Sequence, residues 1–262
     1  MTGHAEGGAD PSVRAAGRTA PAESYPVVAH DGTALGRVPR MSHADAHRAV
    51  RAARAAADGW ARRSAGQRAR VLHRVADALR GRRTRLVRQV VDADGVPHDL
   101  AERLVDTAAE RWTRYAEQIA GGACAGRPPV GVVAIVAPPF GPLLGLVSVL
   151  APVVAGGNTA VVAVSERAPL PALALAEALA EAQLPDGVAA LLTGPTAELA
   201  PLLAAHPGID AVDLTGAGEA APGLADRSAA TAKRILRSEG RVDWFADPGT
   251  ARLTAFLRPA AD

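Results

Sequence analysis

The feature that most constrains this chain is the alternation of short apolar runs with helical stretches that begins at Val130. VGVVAIVA reads as a buried strand from its continuous apolar run and its β-branched content. After it the pattern predicts a helix over 142–155, a strand over 159–164, a helix over 169–182, a strand over 188–192, a helix over 197–205 and a strand over 209–214. Strands separated by single helices and short turns call for a parallel sheet with right-handed crossovers. The expected fold class is therefore α/β: a Rossmann-like parallel sheet with helices on both faces, preceded by an N-terminal hairpin and helices. In such sheets ligands settle outside the carboxyl ends of the strands.

Upstream of Val130 the pattern differs. Residues 1–24 are rich in Gly, Ala, Pro and Ser without periodicity, and a disordered tail is expected there. In YPVVAHDGTALGRVPRM, Asp31-Gly32 separates two short apolar runs, a hairpin signal. Ser42 is placed to cap a helix whose apolar face carries Ala46, Val50, Ala53 and Ala57 and ends at Trp60. A second helix is expected from Ser64, with Val71, Leu72, Val75, Leu79 and Leu86 apolar among arginines, and a third over 99–119.

Composition narrows the function classes. Hydrophobic residues make up 48% of the 262, but aromatics only 3%, so the core rests on Ala, Val and Leu. Lys and Arg number 29 against 27 acidic residues, and acidic residues interleave the Arg-rich helix faces. That balance argues against nucleic acid as a partner. The longest apolar stretch, 130–164, is broken by prolines, glycines and Asn158, which argues against a membrane span. The N-terminus lacks the basic and apolar regions of a secretory signal. Cys124 is the only cysteine, which excludes an internal disulfide and fits a reducing compartment, so a cytoplasmic location is expected.

The turn expected at the carboxyl end of the first Rossmann strand is chemically blank. Pro138, Pro139, Phe140, Gly141 and Pro142 offer no side chain that carries charge or moves a proton. Neither G-x-G-x-x-G after that strand nor G-x-x-x-x-G-K-[ST] anywhere supplies a phosphate cradle.

Two long segments explain that combination. GVVAIVAPPFGPLLGLVSVLAPVVAGGNTAVVAVSERAPL resembles the first strand, turn, helix and second strand of the aldehyde dehydrogenases. AEAQLPDGVAALLTGPTAELAPLLAAHPGIDAVDLTGAGE resembles that family's next segment, and ADAHRAVRAARAAADGW its opening helix. The resemblance covers residues 25–223. It implies a dinucleotide-fold domain over 25–262, made of N-terminal hairpin and helices (25–128), a Rossmann-like core (129–223) and a short remnant (224–262) where the family has its catalytic domain. It also implies cofactor-binding positions at Pro138, Ser165, Glu166, Gly194, Thr215 and Gly216.

The departures from the family pattern bear on function. Phe140 stands where the family has an oxyanion-holding Asn, and Ala163 where a Lys grips the adenosine ribose with the retained Glu166. Ala217 replaces a Ser near the pyrophosphate. Loss of one charge-assisted lysine contact costs about 1.5–3 kcal/mol, so NAD or NADP is expected to bind weakly if at all. Cys124 precedes the first Rossmann strand with no His or basic cluster near it in sequence, which reads as a small loop residue rather than a nucleophile. Glu239 sits in a poor match to the family's general-base motif, and His206 reads as a turn residue. No histidine has metal-ligand spacing. These departures resemble the degenerate second module of two-module aldehyde dehydrogenases. They imply a non-catalytic partner of a complete enzyme, or a chain that self-associates. Two other readings stand beside it: an NAD(P)-dependent oxidoreductase acting on an aldehyde, and a dinucleotide-binding sensor whose Ser165 and Glu166 alternatively cap the helix beginning near Pro169. Trp244 and Phe245 are the expected aromatic anchors for a partner.

Overall fold

A computed structural model describes residues 23–260, with Glu239 and Arg241 left out. The expected tail lies outside the described residues except for Glu23 and Ser24, and Ser24 already opens a strand. β1 (Ser24–Val28) and β2 (Ala34–Pro39) form the antiparallel hairpin, with Gly32 at φ +87° in its turn. Helices α1 (His43–Ala61), α2 (Ala65–Gly81), α3 (Arg83–Asp94) and α4 (His98–Ala120) follow. Ser42 and Ser64 both form capping boxes, with Asp45 and Gln67 reaching back to the cap amides. The single helix expected to run from Ser64 past Leu86 is in fact two. The chain leaves helical geometry at Arg82 (φ −102°, ψ 8°), and Leu86 belongs to α3.

The alternating region gives β3 (Val132–Val136), α5 (Leu144–Ala155), β4 (Thr159–Ala163), α6 (Leu170–Glu181), β5 (Ala189–Leu192), α7 (Thr196–Ala205) and β6 (Ala211–Asp213). Then come α8 (Ala221–Ala229), β7 (Arg234–Leu236) and α9 (Ala251–Ala255). The sheet is five-stranded and parallel in the order β5-β4-β3-β6-β7. The sheet therefore continues past residue 223. The boundary between a core at 129–223 and a remnant at 224–262 cuts through α8 and separates β7 from the strand it pairs with.

Alternation along β3 sends Val132, Ala134 and Val136 to a core beneath α1, α7 and α8. Val133 and Ile135 go to a larger core beneath α2, α4, α5 and α6. Burial on both faces is why β3 and β4 read as unbroken apolar runs. The C-terminal stretch adds to the larger core through Leu253 and Phe256. Its backbone pairs with the chain just before β3: Val130 N–H donates to Phe256 O at 3.1 Å and Arg258 N–H to Pro128 O at 2.7 Å. Among the described residues no helix is long and apolar enough to cross a membrane.

Candidate functional site at the carboxyl edge of the sheet

The carboxyl ends of β3, β4 and β6 open on a cleft of ≈ 960 Å³. Its floor includes the blank turn, and Phe140 there is 68% exposed. The charge that the turn lacks arrives from elsewhere in the chain. Asp94, the last residue of α3, accepts from Gly141 N–H at 3.0 Å and pairs with Arg167 from the loop after β4. Arg167 also donates to the carbonyls of Ala93 (2.8 Å) and Pro139 (3.3 Å), and its guanidinium lies 4.8 Å from the centre of the Phe140 ring. One arginine thus ties the turn, α3 and the β4 loop together.

The residues singled out in the sequence reach this edge, and each has a partner or a packing duty within the chain wherever its contacts are defined. Pro138 lines the cleft and packs against Gly145 of α5. Gly216 brings the β6 turn against the β3 turn: its N–H donates to Val136 O at 3.1 Å, and a Cβ there would meet Ala137 O at 2.2 Å and Pro138 N at 2.5 Å. Its missing side chain makes room for the protein's own backbone. Gly194 takes φ +144° beside the backbone of Met41. Ser165 is buried. Glu166 does not cap the helix after Pro169, where α6 starts without a side-chain cap. Its carboxylate accepts instead from Thr196 N–H at 2.8 Å, the first residue of α7, where both the orphan amide and the helix dipole favour an anion. Ala163, at the ribose-lysine position, is fully buried.

Thr215 belongs to a network that sequence reading missed. Its N–H (2.9 Å) and hydroxyl (2.5 Å) both donate to Asp213 Oδ1, an Asx turn at the end of β6. Arg252 of α9 donates to Asp213 Oδ2 (2.9 Å), Thr215 Oγ1 (3.0 Å) and Ser238 Oγ (2.8 Å). Ser238 Oγ lies 3.2 Å from Thr215 Oγ1. Asp213 is fully buried, and desolvation holds its carboxyl above the usual carboxylate range, with Arg252 and Thr215 pulling it back down. The Arg252 guanidinium sits 5.8 Å from the Trp244 ring. That ring turns toward its own chain near Gly141 rather than outward, whereas Phe245 stays 41% exposed.

Cys124 lies at the other end of the sheet. Its thiol neighbours Arg68, which bonds the carbonyl of Ala155 where α5 ends, and burial pushes its pKa up. His206 occupies the turn before β6 as expected: its Nδ1 accepts from Gly208 N–H at 2.9 Å, and its Nε2 lies 2.9 Å from His47 Nδ1. Glu239 lies outside the described residues. No group of three or more His, Cys, Asp or Glu poised for a metal occurs among the described residues.

Parallel strands in crossover order, a cleft at their carboxyl ends and helices on both faces define an α/β protein of Rossmann-like architecture. The aldehyde dehydrogenase family model matches residues 19–240, and this chain belongs to the aldehyde dehydrogenase family. It is 34% identical over 202 residues to a 3-succinoylsemialdehyde-pyridine dehydrogenase of a Pseudomonas species, covering 73% of this chain and 42% of that protein. It is 33% identical over 219 residues to the geranial dehydrogenase of Castellaniella defragrans, covering 78% and 45%. Among solved structures, HpcC of Thermus thermophilus superposes with a TM-score of 0.77 at 29% identity, covering 83% of this chain and 45% of that one. A variant of aldehyde dehydrogenase C from Pseudomonas syringae, solved with NAD+ and octanal, gives 0.76 at 31%, covering 82% and 46%. The chain thus spans less than half the length of these relatives.

Proposed function

We propose that this chain is a non-catalytic aldehyde dehydrogenase family member that serves a complete aldehyde dehydrogenase as a structural or regulatory partner, in the cytoplasm. One observation carries the reading. At the carboxyl edge, where this architecture places its chemistry, the charged groups Asp94, Glu166, Arg167, Asp213 and Arg252 bond one another or the chain's own backbone. Aldehyde oxidation through a covalent adduct requires a nucleophile beside a base. Among the described residues the single thiol is at the far end of the sheet.

The same residues do not fit a dinucleotide held in the way the resemblance implies. Glu166 is engaged by the α7 N-terminus, Ala163 offers no hydrogen bond, and Gly216 is closed over by the Ala137 carbonyl.

Co-expression with a complete aldehyde dehydrogenase from the same genome, followed by size exclusion with light scattering, tests the partnership. A mixed assembly is expected at micromolar concentration, while the chain alone reduces neither NAD+ nor NADP+ with short or aromatic aldehydes. A soluble monomer that ignores the enzyme overturns the partner reading. Turnover by the chain alone that vanishes in Cys124→Ala restores the oxidoreductase.

A further inference from the structure

We propose that residues 242–249 form a hinged flap over the cleft, opening and closing against α4 while the following stretch, 253–258, stays fixed as its anchor.

The two parts of the C-terminal stretch are held in physically different ways. The anchor is a piece of the core. Leu253, Phe256 and Leu257 are at most 1% exposed, and the backbone at 256–258 exchanges hydrogen bonds with Pro128 and Val130. Asn158 Nδ2 adds a buried bond to Phe256 O at 3.1 Å. Opening it would strip apolar surface and break paired backbone together.

Among the described residues the flap has no backbone pairing with the rest of the chain, and its apolar hold is confined to one half-buried ring, Trp244, which packs against the edge of the larger core beside Arg252. The flap's tertiary hydrogen bonds and ion pairs come from side chains of α4. Arg111 donates to the carbonyls of Trp244 (2.5 Å) and Ala246 (3.2 Å), Arg114 pairs with Asp247 at 3.1 Å, and Gln118 donates to Gly249 O at 3.0 Å. Arg103, also on α4, lies 5.2 Å from the Phe245 ring. The flap's own turns are local, with Phe245 N–H on Asp243 and Gly249 N–H on Asp247. Contacts of this type, set along one helix face, release together without disturbing the sheet.

Glycines in the left-handed region stand at both ends of the flap. Gly240 has φ +72° and Gly249 φ +51°, and neither has an atom within 4 Å of where a Cβ would stand. A glycine that is not required by close packing but holds positive φ fits a hinge. Between the hinges Val242, Asp243, Trp244 and Phe245 line the cleft together with Phe140 and Arg167. Swinging that segment away opens the cleft at the carboxyl edge. The motion is a property of the chain alone, so it stands or falls independently of the partner reading.

The three tryptophans report on it separately, because Trp60 and Trp112 are at most 1% exposed on α1 and α4 and only Trp244 rides on the flap. The full chain is labelled with 5-fluorotryptophan and followed by 19F NMR. The expected result is exchange broadening confined to the Trp244 line. In Arg111→Gln that line should shift toward the solvent-exposed position and acquire a solvent-isotope shift, with Trp60 and Trp112 unmoved. Asp247→Ala removes an exposed ion pair and a local turn without touching the core, and should shift the same line the same way by a smaller amount. A sharp Trp244 line that neither variant moves overturns the flap. So does movement of all three lines together in Asp247→Ala, which would make the segment part of one cooperative core. Should Arg111→Gln fail to fold, Asp247→Ala decides alone.

Discussion

The two sides of the carboxyl edge solve the same physical problem differently. On the β4 side, Glu166 and Arg167 are exposed and satisfy backbone: an α7 amide, and the carbonyls at Ala93 and Pro139. On the β6 side, Asp213 is fully buried and is satisfied by the Arg252 guanidinium and by the Thr215 hydroxyl and N–H, with the half-buried Arg252, Thr215 and Ser238 joined in one network around it. Exposed contacts to helix ends are each worth little and fail singly. A buried charged network is costly to assemble and costly to break in part. The β4 side should therefore tolerate substitution, and the β6 side should not.

The largest expected effect tests the β6 side. Arg252→Met keeps most of the aliphatic stem but leaves the Asp213 carboxylate buried without its cation, which should lower stability by about 3–5 kcal/mol at neutral pH. The pH dependence has a definite sign. Burial already holds Asp213 above its ordinary pKa, and removing Arg252 removes the strongest pull downward. A group bound to its proton more tightly in the folded state adds stability below its unfolded pKa and loses it as pH rises through the folded value. The deficit of the variant should thus be greatest at neutral pH and shrink toward pH 4. Urea unfolding at both pH values measures it, and a deficit unchanged with pH would show that Asp213 is not the group left exposed to the penalty.

Next in size is the seam between the two sides. Gly216→Ala drives a Cβ to 2.2 Å from Ala137 O and 2.3 Å from Ala137 C, which are backbone atoms that cannot rotate away. The turn after β3 or the turn after β6 has to move, at a cost of about 1–3 kcal/mol in thermal or urea unfolding. A variant as stable as the parent would mean that the two turns do not abut.

The contrast between the sides also marks how far sequence alone reaches. The strands and helices from β3 to β6, and the Ser42 cap, were legible because they depend on local periodicity and on residues close in sequence. β7 was not, because Arg234–Leu236 is too short to show a period and is flanked by charge. The break at Arg82 carries no Gly or Pro beyond Gly81 to announce it. On the β4 side Glu166 was found through family resemblance, although it proved to serve α7 rather than the helix beside it, and Arg167 was not singled out. The charge pairs at both sides escaped because they meet only through the fold: on the β6 side Asp213 and Arg252 are 39 positions apart, and on the β4 side Arg167 meets Asp94 across 73. No spacing rule connects such pairs.

The smallest effect tests the tolerant side. Glu166→Ala leaves the Thr196 amide without its carboxylate and removes an anion from the positive end of α7. Because that amide is near solvent, water takes over the hydrogen bond, and the loss should be about 1 kcal/mol or less. The same variant bears on the cofactor question. If Glu166 works only on α7, calorimetric titration with NAD+ should give the same weak or absent heat before and after the change, while urea unfolding shows the small stability loss. If the carboxylate instead grips a ribose, binding should fall with little change in stability. The two measurements move in opposite directions under the two readings. A loss of several kcal/mol would erase the distinction between the sides, because it would place Glu166 in a cooperative network like that of Asp213 rather than at an exposed helix end.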